Sequence, residues 1–375
     1  MAAYDVAVIG LGAMGSAALL HLARRGVRAV GIEQFAPGHD KGSSHGETRI
    51  IRLGYFEHPS YVPLLRRAYQ LWRELEAECG RPLVHITGIV EIGPPDGEVV
   101  AGTLRASGEH DLPHEVLDAK AVMRRFPAFR IPDHYAGVFQ PDGGFLDVEP
   151  SIAVMIALAK AAGAEVRSGE PVRAIKPIAN GVTIETDRGT VEAKSTIVAA
   201  GAWVSKLLPN LLVKLNVTRQ VQAWFAPQDK SAFEADRFPV FLLESRHGVH
   251  YGFPPHDGSG VKIARHHASD HPVDPDVVDR TITSNDEALI RSAVSEHIPA
   301  ANGAMIAAKT CLYTNTPDHD FIIDTLTDTS NVIVASPCSG HGFKFAPVIG
   351  EILADLVTER GTRHDISRFR MARFT

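Results

Sequence analysis

The chain has 375 residues, 45% of them hydrophobic and 22% charged, too apolar for a disordered protein and ordinary for a folded soluble one. At roughly 150 residues per domain there is room for two domains and a substantial core. Lys and Arg number 38 against 44 Asp and Glu, a formal charge of −6, which argues against a dedicated nucleic-acid binder or a basic membrane-surface protein. The three cysteines, Cys79, Cys311 and Cys338, are too few and scattered for a disulfide framework or a thiolate zinc site, so a reducing compartment and no metal are expected. The longest run free of charge and histidine, Val6 to Leu20, is too short to span a bilayer and has no basic segment before it to make a signal peptide. A cytoplasmic enzyme is the expectation.

Residues 5–9 predict a buried strand, short, β-branched and ended by glycine. Gly10-Leu-Gly12-Ala-Met-Gly15 follows, then a helical stretch to Arg25 stopped by Gly26, then a second strand from Val27 to Ile32 ending at Glu33. Such a unit is a parallel β-α-β crossover. Apolar residues at Tyr61, Leu64, Leu65, Ala68, Leu71, Trp72 and Leu75 mark one helix face, ended by Gly80. Leu83 to Ile92 reads as one strand opening a second domain, and Glu149 to Ala162 as a helix closed by Gly163. Strands are expected at 165–167, 182–186 and 195–199, the last two joined by Asp187-Arg188-Gly189. Residues 216–313 read as an antiparallel sheet, with strands at 240–243, 249–253 and 261–264 and a helix near 286–296. A buried strand at 332–335 and a helix from Gly350 to Glu359 end the pattern. Parallel-sheet patterns at both ends thus enclose a mixed region, the mark of two interleaved domains.

Gly10-x-Gly12-x-x-Gly15, with a strand before and a helix after, is a dinucleotide-binding pattern. Gly10 allows the turn, Gly12 lets backbone approach a pyrophosphate, and Gly15 lets the helix pack close to the strand. Glu33 stands where a carboxylate accepts hydrogen bonds from an adenosine ribose, and it disfavours the extra phosphate of NADP. Gly42-Ser-Ser-His45-Gly-Glu-Thr48-Arg49-Ile-Ile-Arg52 concentrates cations among glycines and apolar residues; on a helical turn Arg49 and Arg52 would project from one side. By composition alone it also reads as a solvated basic turn. Ser195 to Trp203, around Gly201, suits a strand and turn passing a flavin a second time, or simply a buried strand. Cys311 would ordinarily be a buried structural thiol. Ser339-Gly340-His-Gly342-Phe-Lys344 can bring backbone N–H groups to a flavin edge and face Lys344 to a substrate, or be a capping turn with a surface lysine.

With these pieces in register, the sequence resembles the family of monomeric sarcosine oxidase and N-methyl-tryptophan oxidase, FAD-containing amine oxidases. The resemblance covers nearly the whole chain. Its anchors are the 42–52 segment, Tyr251-Gly-Phe-Pro254, Gly260-Val-Lys262-Ile, Cys311-Leu-Tyr313-Thr-Asn-Thr-Pro-Asp, Phe321-Ile-Ile-Asp324 and the 339–345 loop. It implies an α/β fold, a Rossmann-type FAD-binding domain (1–84, 145–215 and 320–375) interleaved with an α+β substrate domain carrying a mixed or antiparallel sheet (85–144 and 216–319). It implies FAD joined covalently through Cys311 and held by Gly10, Gly12, Gly15, Glu33, Ser43, Thr48, Gly201, Gly340 and Gly342. Lys262 would sit where reduced flavin meets oxygen, with His45 and Arg49 along the ring. Arg52 and Lys344 would hold a substrate carboxylate, and Tyr251, His266 and Tyr313 would surround the substrate, although His266 also reads as ordinary packing. Ser44, Pro337-Cys338 and His250 depart from the better-known members and bear on substrate choice. The expected partners are a secondary amino acid and molecular oxygen, with no nucleic acid or membrane, and the resemblance implies a monomer. The competing readings are an FAD-dependent amino-acid dehydrogenase, a cyclic imino-acid oxidase, and a small-molecule binding protein on a Rossmann scaffold.

Overall fold

A computed structural model describes residues 3–375 apart from 235, 327, 328 and 330. Its first β-α-β unit follows the sequence pattern: strand Tyr4–Ile9, helix Ala13–Arg24, then strand Ala29–Glu33 parallel to the first, with Ala7 opposite Val30. Gly26, at φ +71°, turns the chain between helix and second strand. These strands lie in an eight-stranded sheet that also holds Glu165–Ser168, Val172–Ile178, Gly181–Thr186, Gly189–Val198, Ile322–Thr325 and Val332–Ser336. Gly189–Val198 runs antiparallel to Gly181–Thr186 but parallel to Tyr4–Ile9 and Val332–Ser336. Helices Ala13–Arg24, Val148–Ala161 and Ala346–Thr358 share one hydrophobic core with one face of this sheet.

A second eight-stranded sheet takes its strands from residues 89–140 and 216–315, between segments of the first. It is antiparallel except where Val240–Ser245 pairs parallel with Ile89–Gly93. Helix Ser284–His297 starts at a capping box formed by Thr283 and Asp286 and buries Ile290 and Val294 in that sheet's core. The mixed α/β architecture with a mixed second sheet is the one the sequence implies.

The single strand expected from Leu83 to Ile92 is instead two. Val84–Ile86 joins a three-stranded sheet with Thr48–Ile51 and Gly144–Asp147, whereas Ile89–Gly93 enters the second large sheet. Gly88, at φ +71°, makes the break, a backbone turn that glycine adopts without steric penalty. Asp147 ties the small sheet to the loop after Gly248–Phe253, accepting from His85 Nε2 at 3.0 Å and His256 Nε2 at 3.1 Å. The last helix begins at Ala346 rather than Gly350, with Pro347 in its first turn, where no N–H is missed.

Candidate functional site

The Gly10–Gly15 turn is set by close approach. A β-carbon on Gly15 would lie 1.7 Å from the Gly10 carbonyl oxygen, so any side chain there would force the helix off the strand. Gly12 is different: the nearest atom to an added β-carbon is Ser44 Oγ at 3.4 Å, and the residue faces a cavity of about 360 Å³. The first turn of the helix, residues 12–14, lines the same cavity. Gly12 has no side chain to cap that helix, although Ser44 Oγ accepts the Ala13 N–H at 3.3 Å, and N–H groups at a helix start favour an anion. Glu33 also lines the cavity, fixed by N–H donors from Leu11 at 2.7 Å and Phe35 at 3.0 Å.

The cavity wall brings together most of the residues expected at the site: Gly10, Ser43, Arg49, Arg52, Gly201, Tyr251, His266, Cys311, Tyr313, Gly340, Gly342 and Lys344 join Gly12 and Glu33. Arg49 and Arg52 do not share a helical turn. Thr48–Ile51 is a strand whose hydrogen bonds go to Gly144–Asp147, with Arg49 opposite Leu146. Arg49 donates to the carbonyls of Thr48 and Ser43, both at 2.8 Å, and one Nη lies 3.7 Å from Cys311 Sγ. Cys311 is buried in the strand Met305–Asn315. Tyr313, two residues on, approaches His266 Nδ1 at 3.3 Å through its hydroxyl. Burial pushes the Tyr251 and Tyr313 phenols up and the His266 imidazole well down, so all three are neutral.

Behind the wall lie Gly15, His45, Thr48 and Lys262. Lys262 is buried and donates to Gly46 O at 2.6 Å, Thr48 O at 2.8 Å and Thr48 Oγ1 at 3.2 Å. Burial, then the nearby Arg49, pulls its ammonium well below the usual lysine range. His45 is buried with no hydrogen-bond partner on either ring nitrogen among the described residues, and burial followed by Arg49 pulls it down to about 3.

At the other end of the cavity, Lys344 is buried rather than a surface lysine, and donates to His341 O at 2.8 Å. Burial and the neighbouring Arg52 lower it to about 7. Arg52 donates to Gly54 O at 2.7 Å and to Glu57 Oε2 at 2.7 Å, and its other Nη lies 3.3 Å from Glu91 Oε1. The rings of Tyr55 and Phe56 flank its guanidinium at 4.4 and 4.7 Å. Glu57 and Glu91 are absent from the sequence-based site. Glu91 had a signal, a lone carboxylate inside the apolar strand Ile-Val-Glu-Ile, since buried acids need a partner.

Residues 5–356 match the family model described as FAD dependent oxidoreductase. The chain belongs to this family. It is similar to a monomeric sarcosine oxidase of Streptomyces avermitilis, 41% identical over 98% of this chain and 96% of the relative. It is also similar to an N-methyl-L-tryptophan oxidase of Salmonella arizonae, 38% identical over 99% of each. Among solved structures, the open form of NikD, an unusual amino acid oxidase essential for nikkomycin biosynthesis, superposes with a TM-score of 0.88 at 30% identity, covering 99% of this chain and 98% of that one.

As an FAD-dependent oxidoreductase, the chain presents groups that fit the cofactor. The open face of Gly12 at the helix start suits a pyrophosphate, and the Glu33 carboxylate suits a ribose. The two unpartnered nitrogens of buried His45 and the unpartnered hydroxyl of Thr314 on the cavity wall await polar partners. Among the described residues no helix is long and apolar enough to cross a membrane.

Proposed function

We propose that this protein is an oxidase of N-methyl amino acids, such as sarcosine or N-methyl-L-tryptophan. The overall reaction takes the N-methyl amino acid, oxygen and water to the free amino acid, formaldehyde and hydrogen peroxide. The observation that carries this reading is one cavity lined at once by Cys311 with Arg49 and by the cation pair Arg52 and Lys344. The names of the relatives, at about 40% identity over nearly the whole chain, support it.

When bound, FAD supplies a two-electron acceptor. Cys311 would hold it through a thioether, with Ser43, Thr48, Gly201, Gly340 and Gly342 shaping the surrounding backbone. Arg52 would bind the substrate carboxylate with paired hydrogen bonds, fixing the carbon that loses hydrogen, and Lys344 would add a second cation. An ammonium carries no lone pair and is a poor reductant; Arg49, Arg52 and Lys344 disfavour it by like-charge repulsion, keeping the amine neutral. Tyr251, His266 and Tyr313 offer only neutral contacts to the rest of the substrate, so they orient it without supplying charge. Lys262 would offer its N–H donors to negative charge that develops as oxygen is reduced, a stabilisation worth most in a dry environment. A peroxide-coupled screen of N-methyl and cyclic amino acids tests the reading; a purified yellow protein that releases no peroxide with any of them overturns it.

A further inference from the structure

The carboxylate pocket carries an acid that the reaction as described does not use. Glu91 lies in the middle of strand Ile89–Gly93, fully shielded from solvent. Alternation puts Val90 and Ile92 into the core of the second large sheet, while Ile89 joins the cluster containing Phe56 and Leu242 on the opposite face. Glu91 shares that face and meets Arg52 there. Gln140 Nε2 donates to Glu91 Oε2, and Gln140 Oε1 accepts the Gly54 N–H at 2.6 Å, so the amide locks the acid to the Arg52 segment. The remaining oxygen, Oε1, has no well-aligned hydrogen bond among the described residues; Arg52 Nη lies 3.3 Å from it and the Thr103 hydroxyl is close to the carboxyl.

The groups facing Glu91 come from every neighbouring element. Arg52 and Glu57 follow strand Thr48–Ile51, Gln140 ends strand Ala136–Gln140, and Thr103 belongs to helix Glu98–Glu109. Lys344, from the turn Phe343–Phe345, acts across the pocket. Before any ligand arrives, this pocket already holds two carboxylates, Glu57 and Glu91, against Arg52 and the amine of Lys344, which burial lowers to about 7 and which is at most one further cation. A docking carboxylate adds a third negative charge in a dehydrated space, and the pocket must discharge one of them.

We propose that Glu91 is the positioning residue that discharges it: when a substrate carboxylate docks at Arg52, Glu91 takes one proton from solvent and releases its hold on the guanidinium. The balance is one carboxylate and one proton in, with ionised Glu91 becoming the neutral acid. Glu57 is the poorer acceptor because its hydrogen bond to Arg52, at 2.7 Å, is direct, and Arg52 holds its carboxyl below the usual range despite burial. Burial raises Glu91 to about 7 even against Arg52, so the proton is available near neutral pH.

This inference rests on the carboxylate docking at Arg52, and the test separates the two claims. Propionate, which has a carboxylate and no amine, is titrated calorimetrically into the holoenzyme at pH 8 in Tris and in Hepes. The buffer-dependent heat gives the protons taken up. Uptake approaching one proton per propionate is expected, with Kd weakening about tenfold per pH unit above pH 7.5. In Glu91→Gln the uptake vanishes, and Kd at pH 8.5 tightens by about tenfold. Absence of uptake in the wild type overturns the proposal, as does uptake that Glu91→Gln leaves unchanged, which would assign it to Lys344. If Glu91→Gln fails to accumulate as holoenzyme, Lys344→Met decides: uptake persists if Glu91 is the acceptor and disappears if Lys344 is. Propionate affinity that is indifferent to Arg52→Gln shows docking elsewhere and removes the parent reading instead.

Discussion

Arg49 holds one Nη 3.7 Å from Cys311 Sγ, and the same nitrogen donates to the Ser43 carbonyl at 2.8 Å. An Nη so placed can donate to the sulfur, the atom that in the proposed reading would bond to a flavin methyl group. Cys311→Ala is therefore expected to yield a protein whose yellow colour is released by acid precipitation, whereas the wild type keeps it. Arg49→Lys, which retains charge but loses the rigid fork, should lower the covalently labelled fraction. Intact-protein mass spectrometry reads both: an unmodified wild-type mass contradicts the tether.

Two glycines of the same turn should fail in different ways. Gly15→Ala places a methyl group against the Gly10 carbonyl oxygen, 1.7 Å from it before relaxation, so helix and strand must separate and thermal stability should drop by several degrees or the protein should not accumulate. Gly12→Ala meets nothing closer than Ser44 Oγ at 3.4 Å. It should fold with nearly wild-type stability yet hold less FAD, because its methyl points into the cavity. Melting temperature and flavin-to-protein ratio, measured on both, separate steric packing from cofactor contact.

These two glycines also show what a sequence makes legible. Gly10, Gly12, Gly15 and Glu33 form a local unit, and its strand-helix-strand pattern carries the stereochemical reason for each position. Thr48–Ile51 is the opposite case. Its partner strand lies about a hundred residues on, at Gly144–Asp147, so nothing near Arg49 and Arg52 distinguishes a strand from a helical turn. The break at Gly88 is hidden for the same reason, since Val84–Ile86 and Ile89–Gly93 differ only in which distant strands they meet. Glu91 becomes a site residue only when strand Ile89–Gly93 meets Arg52, while Glu57 reaches Arg52 locally from five residues on.

Lys262 ties together two carbonyls of the 46–48 segment as well as facing Arg49. Lys262→Met keeps the stem and removes the amine. Flavin reoxidation by oxygen, followed by stopped-flow absorbance, should slow by about 10²-fold or more, while covalent flavin content stays high. The variant should also lose about 0.5–1.5 kcal/mol of stability, because Gly46 O and Thr48 O each lose one donor while keeping Thr48 N–H at 2.9 Å and Arg49 at 2.8 Å. A reoxidation rate equal to wild type removes the assigned role, whatever the stability change.

His250 precedes Tyr251 in strand Gly248–Phe253 and is completely buried. Among the described residues its ring nitrogens reach only the carbonyls of Gly248 at 3.4 Å and Leu289 at 3.3 Å. Burial pulls its pKa down to about 4 from the ordinary 6.5. The unfolded chain thus binds a proton on His250 at a pH where the folded one does not. Stability from keeping this residue neutral is full above pH 6.5 and is lost as pH falls through 4, by roughly 3 kcal/mol at most. His250→Tyr removes the titrating group from a strand that accepts aromatic residues. Melting temperatures between pH 7 and 4.5 should fall less steeply in the variant than in the wild type. Parallel curves would mean that His250 is protonated in the folded protein too, through acceptors stronger than these two long contacts.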